Sequence, residues 1–294
     1  MAYETANRTP FVRPEYEVQV QAGDYGAVER RLSISERLWG NTVFRRTLIL
    51  VALAAAWETY GRQLGDPLLF PPLSDVLQAL VDNAHEGVLV ERTLTTMQVL
   101  VIGYAAGVVI AAALTSLAIS TRIGTDLIST LTAMFNPLPA IALLPLALLW
   151  FGLGIPSLVF VIVHSVLWAV ALNTYSGFLA VSPTLRMAGQ NFGLRGARYV
   201  AGILVPAAFP SILSGLKIGW AFAWRTLIAA ELVFGVSSRS GGLGWFIFEN
   251  RNNLHTENVF AGLLTVILIG LFVEGVIFRA VEAKTVRRWG VVNG

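Results

Sequence analysis

The sequence of 294 residues contains no cysteine, which excludes a disulfide framework, a thiolate nucleophile and a cysteine-ligated zinc site at once. Histidine is nearly as scarce: His85, His164 and His255 stand far apart and lack the short spacing of a metal-binding motif. Lysine occurs only as Lys217 and Lys284, preceded by Leu216 and Ala283, so the Gly-Lys-Ser/Thr loop that sets a lysine on nucleotide phosphates is missing. Charged residues make up 13% of the chain, against about 25% in ordinary soluble domains. A net charge of +3 gives no reason to expect a nucleic-acid partner.

Apolar sequence fills the space that charge vacates, at 55% of the residues. Leu127 to Leu185 carries no Asp, Glu, Lys or Arg. That stretch is too long for one crossing of about 20 residues and suits two crossings joined at Gly152–Pro156. The same rule places spans near 46–64, 93–121, 127–150, 156–181, 207–234 and 257–281. The fold class expected is an all-α membrane protein with six transmembrane helices. A cytosolic amino terminus gathers fifteen Lys and Arg residues on that side, leaving Arg62, Arg92, Arg239 and Arg251 opposite.

Residues 1–45 then form a cytosolic segment, aperiodic and expected to be disordered over its first 30 residues, ending in an amphipathic elbow at 33–44 with Ile34, Leu38 and Trp39. Residues 46–285 form the transmembrane domain and 286–294 a cytosolic tail. The first apolar stretch begins only at Thr47, so no secretory leader is expected.

Charges inside a membrane are costly and mark function or pairing. Glu58, Lys217, Arg225, Glu231 and Glu274 qualify. Helical rise puts Glu58 and Arg225 at matching heights, about 18 to 20 Å above the inner helix ends, and Lys217 level with Glu274. Arg225 is therefore expected either to pair with Glu58 or Glu231 or to face a solute pathway, and Lys217 to pair with Glu274. Glu58, Trp224, Arg225 and Glu231 are the pathway candidates. His164 reads as a hydrogen-bonded core residue. Ser237–Gly244 reads as a connection that could also form a nest of N–H groups for an anion. Residues 62–92, with a short helix starting at Pro71–Asp75, join 246–257 as an external surface.

The polar stretch after the fourth span opens like a helix, with Ser182 as N-cap and Pro183 at its first position, and Gly193 is placed to end it. A second short helical pattern, Leu194–Leu204, carries Arg195 and Arg198 and runs to Pro206. Composition alone describes a basic cytosolic loop.

The run GLRGARYVAGILVP (193–206) resembles the EAA loop of permease subunits of ATP-binding-cassette importers. NPLPAIALLPLALLWFGLG (136–154), LNTYSGFLAVSPTL (172–185), AFPSILSGLKIGWAFAWRTLIAAEL (208–232) and GGLGWFI (241–247) resemble the sulfonate, taurine and nitrate branch, so that the likeness covers roughly 46–285. It implies a type I importer permease fold in the bacterial cytoplasmic (inner) membrane, with two such permeases, a homodimer, forming the pathway. It further implies two ATPase subunits docked on coupling helices and an extracytoplasmic solute-binding protein. ATP and Mg would sit on the ATPase, with no cofactor on this chain and no enzymatic activity of its own. Arg186, Met187, Ala188, Gly189, Gly193, Arg195, Arg198 and Pro206 are the implied coupling residues. Met187-Ala188-Gly189 stands where the family has Glu-Ala-Ala, which removes the usual carboxylate and leaves Arg186, Arg195 and Arg198 to meet acidic groups. The solute class implied is a small anion of sulfonate, taurine, nitrate or bicarbonate type. An ion-coupled secondary transporter using Glu58, Glu231 or Glu274 as proton carriers, and a permease for a thiamine-precursor-like heterocycle, stand as alternatives.

Overall fold

The computed structural model describes residues 34–234 and 241–285, which are helical or connecting throughout. The expectations for residues 1–33 and for the tail 286–294 lie outside the described residues. Two units divide between Leu53 and Ala54. In the first, α1 (Ile34–Gly40) stops at Asn41, whose side-chain oxygen accepts the Val43 N–H at 2.8 Å and so caps α2 (Thr42–Leu64). The elbow expected as one helix over 33–44 is instead two segments meeting at a cap.

The second unit continues with α3 (Leu73–His85), α4 (Val88–Ser120), α5 (Arg122–Phe135), a 3₁₀ turn (Ala140–Leu143), α6 (Leu144–Phe151) and α7 (Ile155–Leu179). After these come α8 (Pro183–Asn191), α9 (Gly196–Tyr199), a π-helical turn (Val200–Leu204), α10 (Val205–Phe234), α11 (Leu243–Asn252), α12 (Thr256–Phe272), a second π segment (Val273–Phe278) and α13 (Arg279–Lys284). Among the described residues four stretches are long and apolar enough to cross a membrane: Val88–Ser120, Ile155–Leu179, Val200–Val233 and Thr256–Lys284. A fifth is counted if α5 and Ala140–Phe151 are taken as one bent crossing. α2 is not in that set; its apolar centre is bounded by Arg45 and Arg46 on one side and by Glu58, Arg62 and Gln63 on the other.

The third span expected at 127–150 is not one helix. α5 and the following Ala140–Phe151 meet at 88°. The break falls at Asn136-Pro137-Leu138-Pro139, where two prolines remove backbone donors and Pro139 takes an extended backbone, while Asn136 still ends α5 in helical geometry. The Gly152–Pro156 turn forms as expected, with Gly152 at φ 73° and the Ser157 hydroxyl donating to the carbonyls of Ala147 and Gly152.

α7 is the central helix, packed between α4 and α10. Small residues allow the approach. A Cβ on Gly103 would lie 2.7 Å from Ile162, and one on Gly107 would lie 2.8 Å from Val166. On the other side, a Cβ on Gly215 would meet Asn173 at 2.8 Å and one on Gly219 would meet Val170 at 3.0 Å. Two Gly-x-x-x-Gly pairs, one on each outer helix, thus face the same partner, which is how helices approach closely where water supplies no driving force.

One end of this bundle is tied by polar side chains. Asn83 donates to Asn258 at 2.8 Å and Asn258 to Asn250 at 3.0 Å, linking α3, α12 and α11. Arg92 of α4 reaches the Gly241 carbonyl at 2.9 Å and Glu249 at 3.4 Å. The expected external segments 62–92 and 246–257 are therefore brought together, and Asp75, Asp82, Glu86 and Glu257 line a 400 Å³ groove on them.

Candidate functional site

The α8–α9 surface is built from local signals. The Ser182 hydroxyl accepts the Leu185 N–H at 3.3 Å, and Pro183 follows at the first position. At the other end Gly193 takes φ 75°, its N–H reaching Gln190 at 2.9 Å while the Leu194 N–H returns to the Gly189 carbonyl at 3.1 Å. This is a Schellman closure, and it turns the chain into α9. A Cβ on Gly189 would lie 2.8 Å from Ile203, so α8 rests directly on the π turn.

That arrangement leaves Leu185, Met187 and Phe192 exposed, Phe192 at 85%, with Arg195 and Arg198 exposed beside them and Ala188 half-buried. Arg186 departs from expectation. Its Nε donates to the Val181 carbonyl at 3.1 Å and a terminal nitrogen to the Phe178 carbonyl, so it caps the end of α7 and does not project with the other two arginines. Pro206 also differs: it does not stop the helix. The backbone passes through it from the π turn into α10, because a π turn alters the hydrogen-bond ladder just where proline offers no donor.

The membrane charges pair otherwise than helical rise suggests. Glu58 binds Arg62 at 2.6 Å and accepts the Ser74 N–H at 2.9 Å, which ties α2 to the start of α3. Lys217 pairs with Glu282 at 2.6 Å and not with Glu274. Glu231 is fully buried; its two oxygens accept the Thr96 hydroxyl at 3.0 and 2.9 Å, and one also accepts the Gly244 N–H at 2.9 Å. The Leu243 N–H in turn donates to Thr96 at 2.8 Å. In the described part of Ser237–Gly244 a single backbone N–H, that of Gly244, reaches the chain's own Glu231, so the segment is a connection held by one carboxylate and not a nest of N–H groups. Residues 237–240 of that segment lie outside the described residues. Trp224 is 7% exposed, packed in the core, and borders a 330 Å³ cavity with Lys217, Gly270 and Glu274.

Arg225 joins neither Glu58 nor Glu231. It is exposed, its Nε donates to the Ala221 carbonyl at 2.9 Å, and its guanidinium lies 5.3 Å from the Phe222 ring centroid. It borders a 370 Å³ cavity between Asn136–Ile141, α7 and α10, lined also by His164, Trp168, Phe222 and Thr226. His164 is not the hydrogen-bonded core residue expected: both ring nitrogens are buried with no partner among the described residues. The Trp168 indole nitrogen is in the same condition, while its ring stacks on Phe135 at 5.7 Å and 11°. Trp168 gave no signal in the sequence beyond its apolar surroundings, because the cavity exists only where the broken span folds back on α7.

The sequence profile of the family described as binding-protein-dependent transport system inner membrane component matches residues 103–286. The chain belongs to this family. Among its relatives, a putative ABC transporter permease protein of Methanocaldococcus jannaschii is 30% identical over 230 residues, covering 76% of this chain and 85% of the relative. The taurine transport system permease protein of Escherichia coli is 28% identical over 231 residues, with 77% and 82% covered. The nitrate import permease protein of Synechocystis is 27% identical over 249 residues, with 81% and 87% covered. A multi-pass transport permease of this family is not an enzyme. The matched region takes in the cavity, Glu231 with the start of α11, and the α8–α9 surface, and leaves α1–α3 and Thr96 outside it.

Proposed function

We propose that this chain is the permease subunit of an ATP-driven importer for a small anionic solute of the sulfonate, taurine, nitrate or bicarbonate kind. Two copies form the pathway, two separate ATPase subunits drive it, and an extracytoplasmic binding protein delivers the solute. In this reading the chain crosses the bacterial cytoplasmic membrane six times, with α2 as the first crossing, the bent pair as the third and the amino terminus in the cytosol. The observation that carries the reading is the exposed α8–α9 surface: an apolar patch of Leu185, Met187 and Phe192 flanked by Arg195 and Arg198, held on a capped helix. Isolated patches of that kind on a basic, membrane-proximal element support docking of another protein. The names of the taurine and nitrate relatives support the solute class.

An ion-coupled transporter would need a carboxylate free to change partners. Glu58 and Glu231 are held by Ser74, Arg62, Thr96 and Gly244, which weighs against that alternative at these two positions and leaves Glu274, on the 330 Å³ cavity, as its carrier. The test is purification from the native membrane followed by reconstitution. An ATPase subunit in equal amount, and uptake that requires ATP, are the expected results. Uptake driven by a proton or sodium gradient without an ATPase would overturn the proposal, and uptake of a neutral or cationic heterocycle would overturn its solute class.

A further inference from the structure

We propose that the cavity between Asn136–Pro139, α7 and α10 is a solute site for an organic oxyanion, with Arg225, Trp168 and His164 holding the oxygens and apolar walls holding the body. The inference rests on the importer reading above and narrows its solute.

The donor inventory sets the sign of the ligand. The guanidinium of Arg225 carries terminal N–H groups in a planar fork, the Trp168 indole nitrogen can only donate, and neutral His164 has one N–H to give. Among the described residues no Asp or Glu lines this cavity. Glu274 shares with Arg225 the separate 330 Å³ cavity on the α12 side, at no ion-pair distance. Trp168 is 7% exposed, and its indole nitrogen and both His164 nitrogens are buried without partners among the described residues. Buried polar groups are nearly always satisfied, so the Trp168 N–H and the one N–H of neutral His164, both on residues that line this cavity, are two donors that an oxyanion would complete.

Location makes the same point independently. Arg225 is exposed within the apolar stretch Val200–Val233, where contact with lipid tails is prohibitive for a guanidinium. Its face must be covered by water, protein or solute. The non-helical backbone of Asn136–Pro139 lies on the same cavity, and at membrane depth such backbone is tolerated where it lines a cavity of this kind.

Size then narrows the class. A volume of 370 Å³ is roughly ten times the share of one water in the liquid, far more than nitrate or bicarbonate fills. Pro137, Leu138 and Phe222 supply apolar wall that the aryl or alkyl body of a sulfonate or carboxylate would cover and that a bare inorganic ion would leave to water.

The absence of native cysteine gives a direct test. Ala229→Cys and, separately, Thr226→Cys each put the chain's one thiol on this cavity, in the complete transporter complex in lipid nanodiscs. Benzenesulfonate should slow labelling by a methanethiosulfonate reagent about tenfold, while sodium nitrate at equal ionic strength should not. Adding Arg225→Gln, or Trp168→Phe, should weaken that protection about tenfold, the size of one charge-assisted hydrogen bond. No protection at either cysteine, or equal protection by nitrate, would overturn the site. The importer reading is read out separately by the ATPase retained in the same preparation. Protection without an ATPase would keep the anion site and remove the importer, and an ATPase without protection would do the reverse.

Discussion

The Thr96 hydroxyl lies 2.9 Å from a Glu231 carboxylate oxygen, and the two residues, on α4 and α10, together hold the backbone at the start of α11. A buried carboxylate here does the work of a cap: it receives the Gly244 N–H, and Thr96 receives that of Leu243. The close fit is set by Gly242, where a Cβ would meet the Thr96 hydroxyl oxygen at 2.1 Å and Glu231 at 2.3 Å.

Glu231→Ala should therefore destabilise the assembled protein by about 2 to 4 kcal/mol, leaving one N–H and one hydroxyl unsatisfied beside a cavity. Glu231→Gln keeps a carbonyl acceptor and should cost less than half as much. Thermal unfolding of the purified complex distinguishes the two. Equal losses would mean that charge, and not acceptance of these bonds, is what the position supplies.

Gly193→Val should weaken ATPase association, because a β-branched residue at φ 75° is strained by about 1 to 2 kcal/mol or more. A Cβ there meets nothing within 4 Å, so the cost is conformational and stays in the loop. Gly193→Asn, a residue that tolerates the left-handed region, should keep most of the association. Pull-down of the ATPase by each variant is the measurement, and indistinguishable variants would dissociate the turn from docking.

The three arginines of the coupling segment should separate by assay. Arg186→Ala removes the cap from the Phe178 and Val181 carbonyls and should lower the melting temperature of the permease. Arg195→Ala with Arg198→Ala should leave melting unchanged and reduce ATPase binding. A normal melting temperature for Arg186→Ala would contradict the capping role.

Gly103→Leu and Gly107→Leu should disrupt the α4–α7 contact, since each new side chain enters space held by Ile162 or Val166. Yield of folded, monodisperse protein in mild detergent reports the effect. Gly40→Leu, at a glycine with nothing within 4 Å, should be neutral by the same measure.

What was legible in the sequence was local. Ser182, Pro183 and Gly193 act within a few residues of themselves, and each takes the role its chemistry suggests. The broken span was written in Pro137 and Pro139, but an unbroken apolar run masks a break when length alone counts crossings. Helical rise matches Lys217 to Glu274 while the structure pairs it with Glu282, because an offset in where a helix begins propagates at about 1.5 Å per residue. Glu274 and Glu282, eight positions apart, differ by about 12 Å in height. Glu231 and Thr96 are brought together by packing across 135 positions, which no pattern along the chain reveals. Gly103 with Gly107 and Gly215 with Gly219 have the Gly-x-x-x-Gly spacing, but nothing along the chain says that both pairs face α7.

The break at Asn136–Pro139 also bears on how the chain enters the bilayer. α5 has 14 residues and α6 has 8, so neither half alone reaches the roughly 20 residues that a crossing needs. Nor can the unwound residues between them face lipid, where their backbone groups would go unsatisfied. The bent form therefore depends on its neighbours, and α7, which packs on Ala140–Leu143 and on α6, is the element that shelters the unwound backbone. A chain interrupted by a stalled ribosome before Ile155 should hold residues 122–151 in a different, protease-sensitive arrangement from the finished protein.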